Sequence, residues 1–126
     1  MERREKAVEL KHNGHNCCQS VLCAFKDDVH LSEEDLNKIG AAYCVGLGCM
    51  EATCGALCAA EMILGLKKYD GKPVVREAGK IHRAFEEKCG AALCKDLKGK
   101  DTGKVICECD DCVRNAVDIV EEMILA

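Results

Sequence analysis

No tryptophan occurs in the chain, and aromatic residues make up only 3% of it. A core therefore has to be assembled from Ala, Val, Leu, Ile, Met and Cys, not from large rings. No stripe of Lys and Arg is present either. The basic residues are scattered among Asp and Glu, and the net charge is −4. That excludes the electrostatic footprint on which nucleic-acid binding depends. No apolar run reaches roughly 20 residues, the length needed to span a bilayer, so no membrane span is expected. No segment alternates with period two as a half-buried strand does, and no stretch repeats another. Met1-Glu2-Arg3-Arg4-Glu5-Lys6 leads straight into a charged amphipathic segment, without an apolar h-region or a small-residue cleavage site. No secretory signal is expected there, and a reducing cytoplasm is the expected location.

What the chain has in excess is cysteine, 12 of 126 residues. In a secreted chain this density reads as a disulfide scaffold. In a reducing compartment, clustered thiols point to metal binding or catalysis. Some buried cysteines serve as small hydrophobes, but twelve exceed what that role needs.

The remaining pattern is helical, and the length is that of one domain. Helices are predicted over 2–12, with Asn13-Gly14 as the stop, and over 17–26. Ser32 and Asp35 resemble a capping box opening a helix through Tyr43. Gly46-Leu47-Gly48 breaks the pattern. The 52–66 stretch is apolar all round apart from Glu61, which marks a buried central helix. Further helices are expected over 74–88, after Pro73, and over 111–125, with an apolar stripe. The predicted fold class is all-α, a compact single-domain helical bundle with a buried central helix.

The thiols do not follow a ferredoxin run. No zinc-ribbon spacing is present, and the four His are not spaced i, i+4. Local context is sharper. Cys17 follows Asn16, Cys54 follows Thr53 and Cys112 follows Asp110-Asp111, so each is expected in the first turn of a helix after an N-cap residue. Free backbone N–H groups and the positive end of the helix dipole favour a thiolate there. Three such helix starts can converge on one anionic centre.

Gly14-His15-Asn16-Cys17-Cys18-Gln19-Ser20-Val21-Leu22, Thr53-Cys54-Gly55-Ala56-Leu57, Leu93-Cys94-Lys95-Asp96-Leu97 and Cys112-Val113 with Ala116 resemble the C_GCAxxG_C_C family of redox-active proteins. The resemblance runs from Gly14 to about Glu121 in the right order. It implies that the signature cysteines are Cys17, Cys54, Cys94 and Cys112. It also implies kinship with the iron–sulfur domain of split-Soret cytochromes, hence an iron–sulfur cluster held by these four thiolates and electron transfer to a redox partner protein. Ala59 stands where the signature's last Gly is expected, and eight cysteines exceed the motif.

Alternatives stand beside this reading. One is thiol–disulfide exchange without a metal, with Cys17 and Cys18 or Cys109 and Cys112 as the pair. Another is structural Zn, weaker because a chain of this size folds without one. Cys58 shares a helix face with Cys54, as ligand or core neighbour. Cys107-Glu108-Cys109-Asp110-Asp111-Cys112 supplies either two ligands or a resolving pair. His15, two residues from Cys17, reads as a surface residue ahead of a ligand, and Glu61, if buried, is expected to meet a cation from a neighbouring helix ahead of serving a proton role. A homodimer is left open.

Overall fold

Asn16 opens the helix that carries the first cysteines with a full capping box. Its side chain accepts from Gln19 N, and the Gln19 side chain accepts from Asn16 N. Two free N–H groups are satisfied reciprocally in this way. The computed structural model describes residues 1–126. It contains α1 (Arg3–His12), α2 (Cys17–Ala24), α3 (Lys26–Val29) and α4 (Glu33–Gly40). A π-helical turn (Gly46–Met50) leads to α5 (Gly55–Lys68), α6 (Val75–Cys89), α7 (Cys94–Lys98) and α8 (Cys109–Val120), and α8 continues into a π-helical turn (Glu121–Leu125). The fold is all-α, as the sequence predicts, and the only strand-like pairing is an isolated antiparallel bridge between Thr53 and Leu93.

Helix α5 packs between α2 and α8, α1 lies across α2 and α8, and α6 closes the far side against α5 and α8. Phe25, Phe85, Leu22, Leu57, Ile63 and Ile119 are among the largest fully buried side chains. Ala56, Ala59, Ala60 and Ala116 are fully buried between them. Small residues let the helices approach closely, and this compensates for the scarcity of rings. With Ala59 already at zero exposure, a methyl group is accommodated where the family signature has Gly.

Several helix boundaries differ from the expected ones. The 17–26 helix is interrupted at Phe25, whose backbone leaves helical geometry between α2 and α3. Helix α4 ends at Gly40, short of Tyr43. The central helix starts at Gly55 and runs on to Lys68, with Leu66 49% exposed, so it is not apolar-buried on every side. Ser32 does cap α4, accepting from Asp35 N at 3.1 Å. No helix is long and apolar enough to cross a membrane.

Candidate thiol-lined metal centre

Four backbone arrangements bring thiols to one place. Cys17 is the first residue of α2, held by the Asn16 cap, and Asn16 Nδ2 also donates to Gly40 O at 3.1 Å. Cys54 is itself the N-cap of α5, one position later than the sequence suggests. Cys94 opens α7, and Cys112 is in the first turn of α8, which starts earlier than expected, at Cys109. The Thr53–Leu93 bridge fastens two of these starts together. Cys54 N donates to Ala92 O at 2.9 Å and Cys94 N donates to Ala52 O at 3.0 Å.

All four cysteines line a single half-open cavity of about 340 Å³, together with Cys44 and Cys109. Beside the thiols, Val45 and Met50 are its apolar side chains, His15 and Asn16 are polar, and Lys11 and Lys98 are its lysines. N-terminal turns of four helices therefore meet at one cluster of sulfurs. Two glycines make the space. A Cβ on Gly55 would collide with Tyr43 O and sit 2.7 Å from Cys17 Sγ, and one on Gly46 would sit 2.8 Å from Cys94 Cβ.

The sulfurs polarise one another. The Cys112 and Cys17 thiols beside Cys54 draw its pKa down to about 3, against the cost of burial, and the Ala56 and Leu57 amides pull in the same direction. Cys17 and Cys112 move upward in response, chiefly because each shares a hydrogen bond with Cys54. Cys94 is raised by burial and then by the negative charge at Cys54. Burial lowers the Lys98 pKa, but the neighbouring Cys112 and Cys109 raise it further, so it remains a firm cation. Lys98 Nζ lies 3.7 Å from Cys112 Sγ. The cavity thus holds one readily formed thiolate, a close ammonium and further thiols in reach. This is the chemistry of soft-metal ligation or of thiol exchange.

The other candidates separate. Cys58 does not line the cavity, and its thiol donates to Thr53 O at 3.9 Å. Cys18 is fully buried, and burial lifts its pKa to about 12. His15 is more than a surface residue. It reaches the cavity, with Nδ1 3.1 Å from Leu10 O and Nε2 3.2 Å from Glu33 Oε1. Glu61 forms no ion pair, although Arg83 and His82 of α6 line the same surface pocket. Its Oε1 is buried without a hydrogen-bond partner, and burial raises the carboxyl pKa to about 7.

A second thiol group went unread in the sequence. Cys89, Cys107 and Cys112 have sulfurs within 4.8 Å of one another. Cys89 ends α6 and Cys107 lies in the loop before α8. Cys107 and Cys112 belong to one short run of sequence, and Cys89 joins them only through the packing of α6 on α8. All twelve cysteines are free thiols.

A helical bundle folded around converging cysteines defines a thiol-based protein with a candidate metal site. The family described as "Putative redox-active protein (C_GCAxxG_C_C)" matches residues 15–123, and the chain belongs to it. No curated protein matches the chain, and no solved structure does.

Proposed function

We propose that this protein is an electron carrier in which Cys17, Cys54, Cys94 and Cys112 hold an iron–sulfur cluster. The observation that supports this most is the convergence of these four thiols, from four helices, on one cavity. The donors are soft sulfurs, these four of the cavity's six thiols suffice for a four-cysteine ligand set, and Gly46 and Gly55 keep open the room that side chains would fill. The residues present therefore fit such a group. When bound, it supplies reversible one-electron chemistry. The chain's own part is to hold and tune it. Helix N-terminal amides and Lys98 offset the negative charge of the thiolates. Burial of Cys54, Cys94 and Cys112 limits water at the sulfurs, and burial and hydrogen bonding of this kind set a reduction potential. A redox partner protein would exchange electrons at the open side of the cavity.

Protein purified anaerobically should be coloured and carry acid-labile sulfide. Cys54→Ser should lose both and much of the thermal stability, since bound metal adds its binding free energy to folding. Cys23→Ser should keep the colour, because that thiol faces Asn37 Oδ1 at 3.4 Å, away from the cavity. Equal iron and sulfide in Cys54→Ser and the parent would overturn the reading.

The low pKa of Cys54 also supports a second reading, thiol–disulfide exchange, since a thiolate is the attacking species. Colourless protein, with disulfide turnover abolished by Cys54→Ser at unchanged thermal stability, would favour it.

A further inference from the structure

We propose that Cys89, Cys107 and Cys112 form a second metal site, which takes a single thiophilic cation of the Cu(I), Zn(II) or Cd(II) kind through three thiolates. Their sulfurs lie within 4.8 Å of one another. A thiolate-bound ion at about 2.3 Å places its sulfurs roughly 4 Å apart, so closing the trio needs only small side-chain adjustments. Exposure is 5% for Cys89, 9% for Cys107 and 1% for Cys112. Few polar alternatives to sulfur therefore compete for an ion there, and soft ligands select soft metals.

Burial alone would make these cysteines ordinary small hydrophobes. The groups around them argue otherwise. Asn115 Nδ2 donates to Cys89 Sγ at 3.2 Å. Lys98 Nζ donates to Cys107 O at 3.0 Å and lies 3.7 Å from Cys112 Sγ. A hydrophobe needs neither an amide donor nor an ammonium, whereas ligated sulfurs are commonly held by such outer partners. Lys98 also offsets the negative charge left when three thiolates bind one cation. On binding, the thiol protons pass to water.

Cys112 also faces the larger cavity, so the two sites meet at one sulfur, whose lone pairs can serve a metal on each side. Only this bridging depends on the cluster reading. The trio itself does not.

The test uses the full chain, reduced and free of oxygen, with Cd(II) as the probe. A Cys17→Ser/Cys94→Ser variant removes two cavity thiols and keeps the trio. It should bind Cd(II) with a sulfur-to-cadmium charge-transfer band, and because Cys44, Cys54 and Cys109 stay in the cavity, the comparison at Cys107 is what reads the trio. Adding Cys107→Ser should weaken binding at least about tenfold, as loss of even an outer partner does, whereas adding Cys58→Ser should not. Undiminished binding after Cys107→Ser would overturn the proposal. If the double variant does not fold, the parent protein serves instead. Cd(II) should then shield Cys89 and Cys107 from alkylation, mapped by peptide mass spectrometry, and unshielded labelling of both overturns the site. A colourless parent protein would count against the iron–sulfur reading alone, since the titration does not involve that cluster.

Discussion

Thr53 and Leu93 pair as an antiparallel bridge, and the residue after each is a cysteine of the cavity. The pairing sets Cys54 and Cys94 side by side through backbone hydrogen bonds of 2.9 and 3.0 Å. The spacing of these sulfurs is thus tied to main chain, which moves less than a rotamer does. Sites whose supports are rigid hold their geometry best.

The glycine beside Cys54 is the tightest point of the site. Gly55→Ala drives a methyl group into Tyr43 O and to 2.7 Å from Cys17 Sγ. It should cost about 1–3 kcal/mol by overpacking and lower the occupancy of the cavity. Gly65→Ala, in the same helix with open space around it, should instead stabilise by about 0.5–1 kcal/mol. Urea midpoints of the two variants give the comparison. A neutral Gly55→Ala would mean the α2–α5 approach is looser than described.

Glu61 makes stability fall with rising pH. Its carboxyl pKa is about 7 in the folded chain against an ordinary value of 4.5, because burial disfavours the charge. The native state holds this proton longer than the unfolded state. Its contribution is therefore full below the ordinary value and is lost as pH climbs through about 7. Solvent screening of this half-buried group reduces the effect to about 1–2 kcal/mol. Glu61→Gln should be more stable than the parent by that amount near pH 8 and close to it near pH 5. Parallel stability curves for the two proteins would refute the assignment.

Strain is stored at the cavity edge. Val45, Leu47 and Met50 all have positive φ, Val45 at 51°, a conformation costing a side chain about 1–2 kcal/mol. Val45 is 53% exposed and so gives up little packing. After the entropy cost of glycine, Val45→Gly should still gain about 0.5–1 kcal/mol in chemical denaturation. A lower midpoint would show that Val45 makes contacts that outweigh the strain.

Local signals carry well from sequence to structure. Asn16 and Ser32 cap α2 and α4 because capping chemistry is set within three or four residues. The Asn16 cap puts Cys17 at a helix start without any knowledge of packing, whereas Thr53 and Asp110-Asp111 are not the caps expected of them: Cys54 and Glu108 take those positions, without side-chain cap bonds. Helix α7 has five residues, too few to show periodicity, so its thiol is singled out only by family resemblance. The break at Phe25 has no turn residue to announce it. Cys44 reaches the cavity, and Cys89 meets Cys107 and Cys112, through contacts between distant segments. Spacing along the chain does not encode such contacts. The gathering of four signature cysteines is legible in part, and their ligation of a cluster is the proposal to be tested.

Because a long stretch of sequence separates Cys17 from Cys112, synthesis reaches the thiols in a fixed order. A ribosome has made three of the signature cysteines before it makes the fourth, and the fourth counts only once α8 has folded onto α2 and α5. Before that moment the emerging chain exposes loose thiols that any oxidant or stray metal can claim. A complete set of sulfurs therefore exists only once α8 is folded against the rest of the bundle, which makes the tertiary fold itself the condition for the site.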